Sequence, residues 1–282
     1  MSAEAEKPSP APAEPPPPAG KRAAWQPCTF GGVAAFAQAP WRRLFLAQVL
    51  FALLFAAGAV WFLAHCYAPV LTDEIQRMPE GASLAGGQLA GIQGVQSETK
   101  FLSIAVATGE DAELDQSADL QIVLRRDHVD VSSILSSALG SLQFGYGSQA
   151  ALDLSRSHLE PWWGAWRPVV LVAAGLAVAV CLLLLWAALA WIYAPAAKLS
   201  AWFCDRQLTW PGAWRLACAA LLPGAALLAL GLVLYGLQMT DVFGLGYFGT
   251  VHLLVGWIYV LAAPAFAPRF SSANINRNPF QS

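Results

Sequence analysis

Residues 44–65, LFLAQVLFALLFAAGAVWFLAH, contain no charge and a single amide, Gln48. At 1.5 Å of rise per residue, a helix of this length crosses the roughly 30 Å hydrocarbon core of a bilayer. A chain that holds such a segment folds around a membrane, and its other segments are assigned by the side on which they lie. The composition agrees. Hydrophobic residues make up 57% of the chain and charged residues 12%, about half the charge usual in soluble domains.

Three later apolar runs, at 169–193, 216–237 and 250–266, predict further spans, and none of the four contains Asp, Glu, Lys or Arg. The third is expected to bend near Pro223 and Gly224. Charge then sorts the two sides. Lys7, Lys21, Arg22, Arg42 and Arg43 precede the first span, and Lys and Arg collect on the cytoplasmic side of spanning segments. Lys198, Arg206 and Arg215 mark the loop after the second span in the same way, and Arg269 and Arg277 mark the carboxyl terminus. Residues 67–167, by contrast, hold thirteen acids against six bases, as a translocated segment can. Trp41, Arg42 and Arg43, then Trp162, Trp163 and Trp166, then Trp191 and Tyr193, are expected to anchor the spans at the membrane interfaces.

The predicted fold class is therefore membrane α-helical, with four transmembrane helices and an inserted small α+β extracytoplasmic domain of antiparallel strands. The chain divides into a disordered Pro-rich cytoplasmic tail at 1–29, an interfacial helix at 30–43, and transmembrane helices at 44–66, 168–194, 215–238 and 248–267. An extracytoplasmic β-rich domain occupies 67–161, a cytoplasmic interfacial loop 195–214, and a cytoplasmic tail 268–282. The expected location is the inner, cytoplasmic membrane, multi-pass, with both termini inside.

Within the insert, alternation locates the strands. Leu102, Ile104 and Val106 share one face of a strand at 101–107, and Leu120, Ile122 and Leu124 one face of a second. Residues 88–92 and 128–131 add two weaker ones, giving an antiparallel meander of three or four strands. Leu135, Ala138, Leu139 and Leu142 recur at helical spacing, which predicts a helix over 132–142.

Several constellations invite a chemical reading. Gln143-Phe144-Gly145-Tyr146-Gly147 has the outline of a potassium-channel filter, but Gln143 and Phe144 stand where the filter needs Thr and Val, so an aromatic glycine turn is expected. Asp111, Glu113, Asp115, Ser117 and Asp119 recur at every second position like the front of a calcium loop, but Gln116 sits where that loop turns on glycine and Ile122 where it needs a bidentate Glu. Asp127, His128, Asp130, Ser132 and Ser133 contain the letters of a hydrolase triad. An extended strand separates His128 and Asp130 by about 7 Å, too far for the hydrogen bonds of a triad. No nucleophile elbow, zinc-protease helix, phosphate loop or C-x-x-C occurs, so neither an enzyme nor a cofactor is implied. His65, Cys66, Asp241 and His252 are placed near the outer membrane face and have ligand types suited to a divalent metal. The five cysteines leave only Cys66 on the outer side, so no intramolecular disulfide is available there.

The order of these features resembles a family of bacterial polytopic membrane proteins known only as a domain of unknown function. The resemblance rests on the step Pro40-Trp41 before the first span, on Met78-Pro79 followed by Gly86-Gly87-Gln88-Leu89, and on 104–109 followed by 120–129. It departs at Ala105 and Ala107, where such a strand is expected to carry Asp, and in having three later spans. The resemblance implies no activity and carries over no site residues.

The function expected from the residues is that of a non-enzymatic membrane protein whose outer domain binds a partner protein or ligand in an accessory, scaffold or sensor role. A membrane subunit of a transport system is the alternative, although spans without charge count against ion coupling. A metal-dependent membrane enzyme using His65 and His252 is the second. The partners implied are the lipid bilayer and a membrane or envelope protein. A homo-oligomer is also allowed, because small residues at spacing four (Ala173 with Ala177, Gly175 with Ala179, Ala225 with Ala229) permit close helix packing. Nucleic acid is not implied, at a net charge of -2.

Overall fold

The computed structural model describes residues 26–92, 94, 96–107, 118–135, 140–148 and 151–269. In chain order the elements are α1 (Phe30–Phe36), α2 (Trp41–Phe62), a π-helical turn (Leu63–Tyr67) and α3 (Ala68–Arg77). Eight strands follow: β1 (Ser83–Ala85), β2 (Gln88–Ala90), β3 (Gln96–Glu98), β4 (Leu102–Val106), β5 (Leu120–Leu124), β6 (His128–Ser133), β7 (Leu142–Gly145) and β8 (Ala151–Asp153). The chain closes with α4 (Arg156–Phe203), α5 (Trp210–Ala220), α6 (Leu222–Gly236) and α7 (Val242–Ala262), which runs on as a 3-10 turn, Ala263–Phe266.

Among the described residues four helical stretches are long and apolar enough to cross a membrane: Trp41–Arg77, Arg156–Phe203, Trp210–Gly236 and Val242–Phe266. Their packing follows from where the small residues fall. On α2, Leu44, Gln48, Ala52, Ala56 and Ala59 form one buried stripe, and Leu46, Leu50 and Leu53 face outward, each more than half exposed. The stripe meets Gly175 of α4, where a Cβ would stand 2.6 Å from Val60, so only glycine lets the two helices approach this closely. Gly175 and Ala179 pack inward as the spacing implied; Ala173 and Ala177 are exposed. The third span is interrupted at Leu221, just before Pro223, where α5 gives way to α6.

α4 has 48 residues, about 70 Å at helical rise and more than twice the hydrocarbon thickness of a bilayer, so it is far longer than one crossing requires. Its first turns run beside α3, where the Trp163 indole N–H donates to Thr72 Oγ1 at 3.0 Å. The short α1 packs against the bundle. Val33, Ala34 and Phe36 are almost fully buried in the same core as Leu216 and Ala217 of α5, so the segment plugs one end of the bundle.

The strands form two sheets, β2-β1-β8 and β3-β4-β5-β6-β7. The expected meander is corrected at one pair: β4 and β5 run parallel, with Leu102 opposite Leu120 and Val106 opposite Leu124, while the other pairs are antiparallel. Alternation assigns faces but not direction, and the thirteen residues 107–119 suffice for a crossover. The helix expected at 132–142 is also corrected. β6 continues to Ser133 and Leu142 opens β7; residues 136–139 lie outside those described. Gln143, Phe144 and Gly145 belong to that strand and not to a turn. The acidic run from Asp111 to Ser117 also lies outside the described residues, as do the tails at 1–25 and 270–282.

α3 covers one face of the larger sheet, with Val70 packed on Leu102 and Ile104. Between the two sheets Met78, Leu84, Leu89, Ile92 and Val106 form a second small core.

Candidate functional site

The sheet domain is fixed to the bundle by aromatic rings. Phe101, just ahead of β4, meets Phe62 of α2 edge-on at 5.3 Å and Tyr235 of α6 edge-on at 5.0 Å, and Phe62 stacks on Tyr235 at 5.3 Å. The Tyr235 hydroxyl donates to Asp119 Oδ2 at 2.7 Å in a buried contact. Asp119, just before β5, is 8% exposed, so this charge-assisted bond answers a carboxylate that is largely shielded from water. The domain is thereby held at the helix ends by a specific joint and not by its covalent links alone.

The far side of the domain is open. β7 pairs with β6 and with no other strand among the described residues, which leaves it an edge strand there. All four residues of β7 are exposed, with Leu142 at 64% and Phe144 at 56%. The two alternate along the strand and therefore stand on one face, opposite Val131 and Val129 of β6. Sheet edges are usually guarded by charge, proline or a bulge; the sequence Leu-Gln-Phe-Gly has no charge and no proline. Sequence reasoning missed this edge because the helical spacing of Leu135 to Leu142 masked the strand.

Behind β7 lies a polar cluster on the β5–β6 hairpin. Arg125 Nε donates to Asp130 Oδ2 at 2.6 Å. His128 Nδ1 is 2.6 Å from Asp127 Oδ1, and its Nε2 is 3.3 Å from Asp130 Oδ1. The extended strand separates the backbones as expected, but the side chains close the gap. The hydrogen bond from His128 holds the Asp127 carboxyl below the usual carboxylate range. Both imidazole nitrogens face carboxylates, an arrangement that ties the hairpin together. The Tyr146 hydroxyl donates to the Arg125 carbonyl at 3.1 Å and burial raises its pKa, so this ring also braces the hairpin.

The four proposed metal ligands are not brought together. Cys66 is buried near the Gly236 carbonyl, His65 contacts the carbonyl of Trp61, and Asp241 caps α7 by accepting from Gly244 N at 2.7 Å. His252 lies elsewhere. α7 starts at Val242, so His252 sits on the order of 15 Å along the helix from Asp241 and packs against Gly224 at the break in the third span. Its Nδ1 is buried with no well-formed hydrogen bond among the described residues. No group of three His, Cys, Asp or Glu side chains among them is placed to hold a metal.

Of the expected interface anchors, Trp41, Arg42, Arg43, Trp162, Trp166 and Trp191 are exposed, and Trp163 is half-buried against Thr72. Tyr193 is corrected: at 3% exposure it faces the bundle, on the same side of α4 as Trp186, Ala190 and Ala197, and packs on Trp257. Trp41 and Trp214 meet edge-on at 5.0 Å at the end of the bundle away from the sheets, where they wall a groove of about 580 Å³ with Trp191, Trp210 and Arg215.

Compared with known proteins, the chain matches no family model, no curated protein and no solved structure. The class rests on the chain itself: a membrane protein with four candidate spans carrying a small, two-sheet domain.

Proposed function

We propose that this is a multi-pass protein of the inner membrane that displays its two-sheet domain on the extracytoplasmic side, where the open edge of β7 takes up an extended segment of a membrane or envelope partner. The role is that of an accessory, scaffold or sensor subunit. Sidedness is supported by charge. Arg42, Arg43, Lys198, Arg206, Arg215 and Arg269 gather at the helix ends remote from the sheets, against Asp205 as the one acid among the described residues there. The same arrangement is what the resemblance to the bacterial polytopic family implies.

The observation that carries the reading is the unguarded apolar edge. A partner strand laid along β7 gains main-chain hydrogen bonds, with Leu142 and Phe144 supplying side-chain selection. The experiment is photocrosslinking in native membranes from position 144. A discrete protein adduct is expected from position 144 and not from the exposed control Gln88 on the other sheet. No protein adduct, or the same adducts from both positions, would refute it.

His252 favours a second reading, a subunit of a transport system, because an ionisable group in mid-span beside a helix break is where a substrate pathway is looked for. Flux in reconstituted vesicles that is lost in His252→Asn would support it, and no flux with or without copurifying partners would remove it.

A further inference from the structure

We propose that the groove at the basic end of the bundle binds one phospholipid with an anionic headgroup, acyl chains against the indoles and phosphate against Arg215 and Lys198. At about 580 Å³ the groove is in the range of small-molecule sites, and its walls are almost wholly apolar. It sits at headgroup depth. Trp41, Arg42 and Arg43 fill the first turn of α2, just before its uncharged run, and Trp191 lies near the end of the apolar run of α4. Trp191 is 72% exposed and Trp41 and Trp210 each 56%, so three indoles form an open lip facing the lipid and not a closed core.

Charge selects among lipids. Arg215 Nη1 donates to the Ala39 carbonyl at 2.9 Å and Nε to Pro211 at 3.2 Å, which fixes the guanidinium in place and leaves its second amino group for a ligand. Lys198 Nζ donates to the Leu208 carbonyl at 2.8 Å and stands 5.6 Å from the centre of the Trp210 ring, with two further protons to give. Trp214, which walls the groove, leaves its indole N–H without a partner among the described residues. Lys198 does not line the groove itself; it stands beside the wall residue Trp210 and lines a neighbouring cavity of about 400 Å³ with Gln38, Gln207 and Thr209, polar room of the size a headgroup needs. A zwitterionic lipid would fill the apolar part equally well but would bring no net charge to the cations. Basic pockets between spanning helices are sites for anionic headgroups for this reason.

The test is native mass spectrometry of the full chain in detergent, titrated with phosphatidylglycerol and, separately, with phosphatidylcholine. One phosphatidylglycerol should be retained in preference to phosphatidylcholine. Arg215→Gln should weaken the phosphatidylglycerol adduct roughly fivefold, the effect of one basic residue near an anionic surface, and leave phosphatidylcholine unchanged. Arg215 also braces α1 to α5, so Trp191→Ala is the second variant; its side chain is largely exposed, and it should weaken the adduct without lowering the melting temperature. Equal binding of the two lipids would overturn the proposal, as would an adduct unchanged in both variants. A dimer that forms in place of the lipid adduct and is lost in Trp191→Ala would overturn it in favour of a second copy of the chain.

Discussion

The Tyr235–Asp119 hydrogen bond joins residues 116 apart in sequence and couples a spanning helix to the sheet domain. Removing the hydroxyl leaves a shielded carboxylate unanswered, which costs about 1–3 kcal/mol. Tyr235→Phe should lower the melting temperature measurably, whereas Asp119→Asn retains an oxygen that can accept and should lower it less; the reverse order would show that the bond does not hold the joint. At Gly224 the constraint is space. A Cβ there would stand 2.5 Å from the His252 carbonyl oxygen, backbone that cannot swing away. Gly224→Ala should therefore destabilise by about 1–3 kcal/mol through overpacking. Gly58→Ala is the control, since its Cβ would meet only Leu232 at 3.9 Å and should be tolerated. Thermal unfolding of the purified variants in one detergent reads all four.

At the scale of elements, the spans were legible because twenty apolar residues without charge have few other uses. The strands were legible as faces. Leu102, Ile104 and Val106 do share one side of β4, and Val70 of α3 covers the first two. Direction was not, because a parallel and an antiparallel neighbour show the same alternation; hence the β4–β5 pair. β7 was hidden because leucines at 135, 139 and 142 fit a helical period in sequence, whereas β6 ends at Ser133 and Leu142 opens a new strand. His252 was set too near the surface for a related reason. The glycine- and aromatic-rich stretch 242–249 looks like a loop in sequence, but packing keeps it helical and moves the start of α7 two turns earlier. Tyr193 reads as a belt residue until the inward face of α4 is known. The edge of β7 supplies the prediction at this scale. Leu142→Lys should leave stability within about 0.5 kcal/mol, as surface changes do, while abolishing the partner adduct formed from position 144. Loss of fold, or an adduct that persists, would show that the edge is not the docking strand.

In the whole molecule, charge and architecture are segregated. The two-sheet domain, with its excess of acids, stands at one end of the four helices, tied down through Phe101, Tyr235 and Asp119, and at the other end the described bases outnumber the single acid Asp205 beside Trp41, Trp191, Trp210 and Trp214. That polarity is what both proposals rest on, the display of β7 to a partner and an anionic-lipid groove at the opposite end. The most direct measurement is sided labelling with a membrane-impermeant maleimide in sealed right-side-out vesicles. One variant keeps Cys204, exposed in the turn after α4, as its only cysteine; the other has Ser141→Cys, exposed just before β7, in a cysteine-free chain. Position 141 should label in intact vesicles and Cys204 only after permeabilisation. Labelling of Cys204 in intact vesicles, with position 141 protected until they are opened, would invert the topology and contradict the extracytoplasmic role of the domain.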